Sequence, residues 1–461
     1  MSDLADMGFA ALGRLMERRA TSSREIVAAC LARIDALNPQ LDAFLDPTAE
    51  RALAEAETRD RERAAGQVHG PLHGIPVAVK DIIDVAGLPT TCHSRAASDS
   101  PAARDAFVVA RLRKAGAVIL GKTALHEYAT GGPSFDLPWP PARNPWNRDR
   151  HPGGSSSGSG AAVAAGMVPA ALGTDTAGSV RHPATACGIV GMKPTYGAIS
   201  RQGVFPLAAS LDQVGPMTRT VADNAVLFDA CTGWDPADPA SRTLGPVSGQ
   251  ATPDLRGLRI AVLDDFNAEA DPEILESFSA ARTVLTDLGA HVESVATLPV
   301  SRFNDCARLL IQTESFAVHG PRLRASAAAY GWRARTKLLA GAFVDAELYL
   351  AAQAERRRLT ESLRAALLGF DAAICLSSFH HPAHIEDDAE IDATYDRQAR
   401  IVFNLTGDPA IAVPCGMSRA GLPIGFQIAA PFGRDAMVYR IAGAYEVAFG
   451  GDWPRYPYLA S

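Results

Sequence analysis

Short apolar runs alternate with stretches of helical spacing along most of this chain, and few architectures accommodate that alternation. Ser22-Ser23-Arg24-Glu25 is a capping-box pattern, and Ile26, Val27, Cys30, Leu31, Ile34 and Leu37 follow it at the spacing of one helix face. That helix is expected to stop near Asn38-Pro39, with a second, charged helix from about 48 to 65. Residues 74–80 read as a buried strand with Lys80 at its end, and a helical pattern over 106–115 leads through Gly116 into a short strand at 117–121. An Ala-rich helix at 161–165 and an apolar run at 168–172 repeat the theme. Further strands are expected at 258–263, 373–376 and 410–413, with helices around 271–288 and 348–368. The Pro-, Asp- and Gly-rich stretch 232–257 reads as a surface crossover and possible subdomain edge.

The economical fold is α/β, with a single large twisted mixed β-sheet covered by helices on both faces. The 461 residues are expected to form one domain, 1–461, with a helical N-terminal part at about 1–66, a core at about 67–230 and a C-terminal part at about 258–461 that completes the sheet.

Charge and composition narrow the partners. A net charge of −7, with Lys and Arg scattered, argues against a nucleic-acid track or a polybasic anchor. The longest apolar runs are broken by Asp, Gly or Pro and fall short of a membrane span, and residues 1–20 lack the apolar stretch of a secretory signal. Seven cysteines without a CxxC pair fit reduced thiols. The expectation is a cytoplasmic enzyme acting on a small molecule, with no nucleic-acid or membrane partner.

Three segments carry residues suited to chemistry. Residues 131–160 form a long Gly-, Pro-, Ser- and Trp-rich connection containing Pro152-Gly-Gly-Ser-Ser-Ser-Gly-Ser-Gly160. A linker is not expected to run straight into a helix inside an α/β alternation, and a phosphate loop would need a Lys after its last Gly, where Ala161 stands. Gly173-Thr-Asp-Thr-Ala-Gly-Ser-Val-Arg-His-Pro183 is a small-residue turn presenting Ser179. Its backbone N–H groups could converge on a developing oxyanion, a contribution of about 3 kcal/mol per donor. Ser179 alone fits a helix cap equally well. Lys80, ending an apolar run, could be desolvated well below its ordinary pKa of about 10.4 and serve as base to a serine. Lys80 alone also fits a solvated lysine paired with Asp81.

Taken together, in this order and at separations of 75 and 24 residues, these segments resemble the amidase signature family. The resemblance extends to Gly121-Lys122-Thr123, Arg143-Asn-Pro145, Gly188-Ile-Val-Gly-Met-Lys-Pro194, Asp212-Gln-Val-Gly-Pro216 and Gly421-Leu-Pro-Ile-Gly-Phe-Gln427. It implies a Ser-cisSer-Lys triad of Ser179 as nucleophile, Ser155 as proton relay and Lys80 as base, with a cis Gly154–Ser155 peptide. It implies an oxyanion hole from the N–H groups of Thr176, Ala177, Gly178 and Ser179, and a brace between Asp175 and Arg181. Ala177 departs from the family's frequent glycine, so a left-handed backbone there would be uncomfortable.

Tyr128, Gly131, Gly132 and His182 are the residues expected to line the substrate pocket. Phe379-His-His-Pro-Ala-His384 reads as a loop over it rather than a metal site, because Pro382 breaks any ligand spacing. No cofactor or metal is expected. The expected function is hydrolysis of a carboxamide C–N bond in a small amide, releasing ammonia or an amine. Two alternatives are the glutaminase subunit of a tRNA-dependent amidotransferase and a non-catalytic binding module on the same fold. The family also suggests a homodimer.

Overall fold

The computed structural model describes residues 4–249, 252, 254–395 and 398–449, so the last twelve residues of the expected C-terminal part, and residues 1–3, lie outside the described residues. Among the described residues, eleven strands form one mixed sheet: β1 Phe44–Asp46, β2 Pro76–Lys80, β3 Val118–Thr123, β4 Ala170–Asp175, β5 Val190–Lys193, β6 Gln213–Thr218, β7 Arg259–Val262, β8 His291–Ser294, β9 Ala372–Leu376, β10 Ala410–Met417 and β11 Pro423–Ala429. Their order is β1-β3-β2-β4-β6-β5-β10-β11-β9-β7-β8. The sheet is parallel where helical crossovers join the strands, at β3-β2-β4 and β9-β7-β8, and antiparallel between.

The apolar runs read from the sequence become strands because both faces of the sheet are covered: β2, β3, β4 and β9 are buried at every residue. The capping box is present as read, with Ser22 Oγ accepting from Glu25 N at 3.1 Å and Glu25 Oε2 accepting from Ser22 N at 2.8 Å. The helix it starts runs over Ser23–Leu41 and so passes Pro39, beyond the expected stop. Pro39 sits in the last turn, where its missing N–H forfeits a single helical bond, and the Asn38 side chain meanwhile pairs with both backbone groups of Phe44.

Other elements lie beyond what the sequence pattern disclosed. β1 falls between the two expected N-terminal helices, inside the part expected to be helical, and β5, β6 and β11 are built from motifs rich in Gly and Pro that break a strand signature. The longest helix, Val300–Ser326, carries both Gly320 and Pro321. No helix among the described residues is long and apolar enough to cross a membrane.

Candidate active site

β2 and β4 are parallel neighbours, so their C-terminal ends open on the same edge, where ligands of α/β sheets are usually bound. Lys80 ends β2 and is fully buried. Its Nζ donates to Ser155 Oγ at 2.8 Å and to Thr174 Oγ1 at 2.7 Å. Burial pushes this lysine down to about 7, against the opposing fields of Asp175 and Asp212. Asp81, the alternative partner in the sequence, is instead taken by Lys122 of β3 at 2.6 Å.

The Gly-Ser segment is closely packed. The Gly154–Ser155 peptide is cis. A Cβ at Gly154 would fall 2.0 Å from the His126 ring, and one at Gly158 would fall 2.3 Å from Ala43 O, so both positions exclude any side chain. Ser155 O accepts from His126 N at 3.1 Å, and Ser156 N donates to Ser179 O at 3.2 Å, which ties the two serine-bearing segments together. The helix after them runs over Ser157–Ala164, four residues earlier than the Ala run suggests.

The turn after β4 is organised by Asp175. Its carboxylate accepts from Gly178 N at 2.7 Å, Val180 N at 3.1 Å and Arg181 Nε at 3.1 Å. Burial alone would raise this carboxyl, but the Arg181 guanidinium and its hydrogen bonds hold it well below the usual carboxylate range. Arg181 continues to Gln427 Oε1 at 2.8 Å and Asn404 Oδ1 at 2.6 Å, pinning the turn to β11 and to the helix Arg400–Thr406.

Two expectations for this turn are corrected. The Gly178 N–H belongs to Asp175 and is not open to an oxyanion, whereas those of Thr176, Ala177 and Ser179 meet no protein acceptor among the described residues. The left-handed residue is Gly178, at φ +110°, and not Ala177, so the alanine brings no strain.

Ser155, Ser179, Thr176 and Ala177 line one cavity of about 260 Å³, together with Gly131, Gly132 and His182. Tyr128 does not reach it: its ring is buried between Phe205, His319 and Tyr330, with centroids 4.6–5.5 Å away. The Phe379–His384 segment is also elsewhere. Phe379 lies in the core, and His380, His381 and His384 each pair with a different carboxylate, on Asp271, Glu273 and Glu390. One group of possible metal ligands converges among the described residues, Glu62, His69 and His73, within 4.8 Å of one another. None of them lines the cavity, Arg59 already pairs with Glu62 at 2.6 Å, and His73 Nε2 already meets Arg59 O.

The remaining walls were not read from sequence. Asn304, Arg308, Ile311, Gln312 and Ser315 project from one face of the helix Val300–Ser326, and Tyr395, Gln398 and Arg400 close the far side. Their helical spacing was the available signal, but nothing local marks a polar stripe as facing a cavity rather than solvent.

A sequence profile of the amidases matches residues 25–439. The chain belongs to the amidase signature family. Within this amidase family, it is 39% identical over 456 residues to one subunit of the glutamyl-tRNA(Gln) amidotransferase of Roseiflexus sp. (strain RS-1), covering 92% of this chain and 93% of that one. It superimposes with a TM-score of 0.90 and 32% identity on a structure described as a vestigial protein complex revealing the evolutionary origins of an s-triazine catabolic enzyme, covering 98% and 100% of the two chains. The native peptide amidase from Stenotrophomonas maltophilia matches with a TM-score of 0.84 at 32% identity, over 96% of each. The chain is thus an amidase-signature hydrolase, of the class that cleaves amide C–N bonds.

Proposed function

We propose that this protein hydrolyses the carboxamide bond of a small-molecule amide through an acyl intermediate on Ser179. The observation that carries the reading is the 2.8 Å contact of the buried Lys80 amine with Ser155 Oγ, a hydroxyl that shares a cavity with Ser179. A lysine with a pKa of about 7 is half neutral at physiological pH, so it can take a proton.

In the proposed reaction, the neutral Lys80 amine takes the Ser155 proton while Ser155 takes that of Ser179. Ser179 Oγ then bonds to the carbonyl carbon. The N–H groups of Ala177 and Ser179, with that of Thr176, receive the negative oxygen. Collapse breaks the C–N bond, and the relayed proton leaves on the nitrogen as ammonia or an amine. Water attacks the acyl-serine by the same relay in reverse, releasing the acid and restoring Ser179. No cofactor or metal enters.

Replacing Ser179 and then Lys80 with Ala, and measuring ammonia release over acetamide-like, aryl, ureido and glutamine amides, tests the assignment. A Ser179→Ala protein as active as the parent sinks it. The identity to the Roseiflexus amidotransferase chain favours a second reading, in which glutamine is the amide and a partner uses the ammonia. Glutamine turnover only in the presence of a co-purifying chain would select it. The bond between Lys80 and Ser155 argues against a non-catalytic module, which has no use for a buried lysine held against a hydroxyl.

A further inference from the structure

Arg400 stands at the start of the helix Arg400–Thr406, 2% exposed, with its side chain in the cavity wall. Its Nη1 is anchored by Ser377 O and by Ser378 Oγ. Among the described residues its Nε meets no acceptor, and no carboxylate lies within ion-pair distance. Asp175, the acid of the neighbouring turn, is committed to Arg181. A buried guanidinium left without a counter-ion is costly unless something else supplies one.

Its position suggests what does. A Cβ built on Gly178 would lie 2.7 Å from Arg400 Nε, so the guanidinium packs directly on the turn that presents Ser179. Two other residues of the same cavity hold unsatisfied buried polar atoms, Tyr395 Oη and Gln398 Oε1. The hydroxyl can donate to an anion, and the amide oxygen can accept from an N–H. No Asp or Glu is among the described residues of the lining.

We propose that the amide hydrolysed in this cavity carries a carboxylate that Arg400 receives, so that the substrates are small net-anionic amides such as monoamides of dicarboxylic acids. This deepens the amidase reading and rests on it. Arg400 is thereby a specificity residue, its buried charge matched by the substrate where the described residues supply no counter-ion.

The test compares the full chain on malonamate, succinamate and glutaramate with propanamide, butanamide and pentanamide, in which a methyl group replaces the carboxylate. Glutamine, which is glutaramate with an added ammonium, completes the set. The best anionic amide is expected to exceed its neutral counterpart in kcat/KM by on the order of 100-fold, because a buried donor left unpaired penalises the analogue. Arg400→Gln is expected to bring that ratio close to unity. Calorimetry of malonate, succinate and glutarate on the Ser179→Ala chain reads the same contact without turnover, and binding is expected to vanish when Arg400→Gln is added. If Arg400→Gln does not fold, Tyr395→Phe is expected to lower the ratio several-fold.

Ser179-dependent turnover that favours neutral amides or glutamine overturns the inference and leaves the amidase reading standing. Dicarboxylate binding that needs Arg400, without turnover of any amide, supports the anion site and counts against the amidase reading. Neither turnover of the anionic amides nor binding of the dicarboxylates overturns the inference.

Discussion

Two strand-ending lysines, Lys80 of β2 and Lys193 of β5, are both fully buried, and burial pushes both down from the ordinary lysine range. Their partners differ. Lys80 donates to two hydroxyls, Ser155 Oγ and Thr174 Oγ1. Lys193 donates to two carbonyl oxygens, Pro194 O at 2.7 Å and Gln213 Oε1 at 2.8 Å, within the fields of Asp435 and Asp408. A carbonyl oxygen accepts a hydrogen bond but has no proton to give up, whereas a hydroxyl does both. Burial and a depressed pKa are therefore shared by a lysine suited to proton transfer and a lysine suited to bracing. Only the hydroxyls, and the cavity beyond them, separate the two.

The comparison fails at its root if Ser179 is not the group that the Lys80 side serves. Ser179→Ala is expected to lower kcat by about 10⁴-fold or more while thermal unfolding stays close to that of the parent, since the side chain is replaced by a smaller one beside a cavity. Ammonia release and a melting curve on the same preparation check both halves.

Lys80→Met and Lys193→Met then set the two lysines against each other. The first is expected to cost about 10³-fold in kcat, because the serines lose their base. It should leave the folded state intact, since a desolvated amine is exchanged for an apolar chain of similar length. The second is expected to cost about 3–5 kcal/mol of stability, because Pro194 O and Gln213 Oε1 lose their buried donor and the nearby carboxyls of Asp435 and Asp408 lose a positive charge, and to spare turnover per folded molecule. Denaturant titration beside steady-state rates separates the outcomes. Equal loss of activity in both would mean that the hydroxyl criterion is wrong.

This distinction explains how much could be read from the chain alone. Lys80, Ser155 and Ser179 were legible as candidates only together, because each alone has an ordinary structural use and it is their joint spacing that matches a known family. The parallel strands around them were legible as unbroken apolar runs. Thr174 was visible as a letter in the turn, but its bond to Lys80 follows from the register that sets β4 beside β2. Arg400 and the stripe from Asn304 to Ser315 come from segments far along the chain, and only the packing of the sheet brings them to Ser179. Tyr128 stands only three residues before Gly131 in sequence, yet the left-handed backbone at Tyr128, φ +47°, turns its ring into the core. The donor status of Gly178 depended on where Asp175 points, which no spacing reveals.

The pH profile sharpens the comparison with a smaller effect. With Lys80 at about 7 in the folded protein, the neutral base is scarce below that pH, so kcat/KM is expected to fall about tenfold per unit on the acid side and to level above it. The stability linked to the same group runs in the same direction. Its folded pKa lies below the unfolded value of about 10.4, so the unfolded chain binds the extra proton between the two, and stability rises with pH across that window. An acid limb that stays in place in the Lys193→Met protein is expected, since Lys193 meets neither serine. Its displacement to the position of another group would reassign the base.

The finest test is Thr174→Val, which removes one of the two hydroxyls that hold Lys80 and keeps the shape of the side chain. Thr174 touches no reacting atom in the proposed relay, so it positions the amine, and the loss in kcat is expected to be a few-fold, with KM little changed. The hydroxyl accepts from the lysine and favours its charged form, so removing it should lower the pKa further and carry the acid limb to lower pH. A structural defect alone would lower the rate without moving that limb. If the limb moves upward instead, the hydroxyl favours the neutral amine, and the assignment of Thr174 as acceptor is reversed.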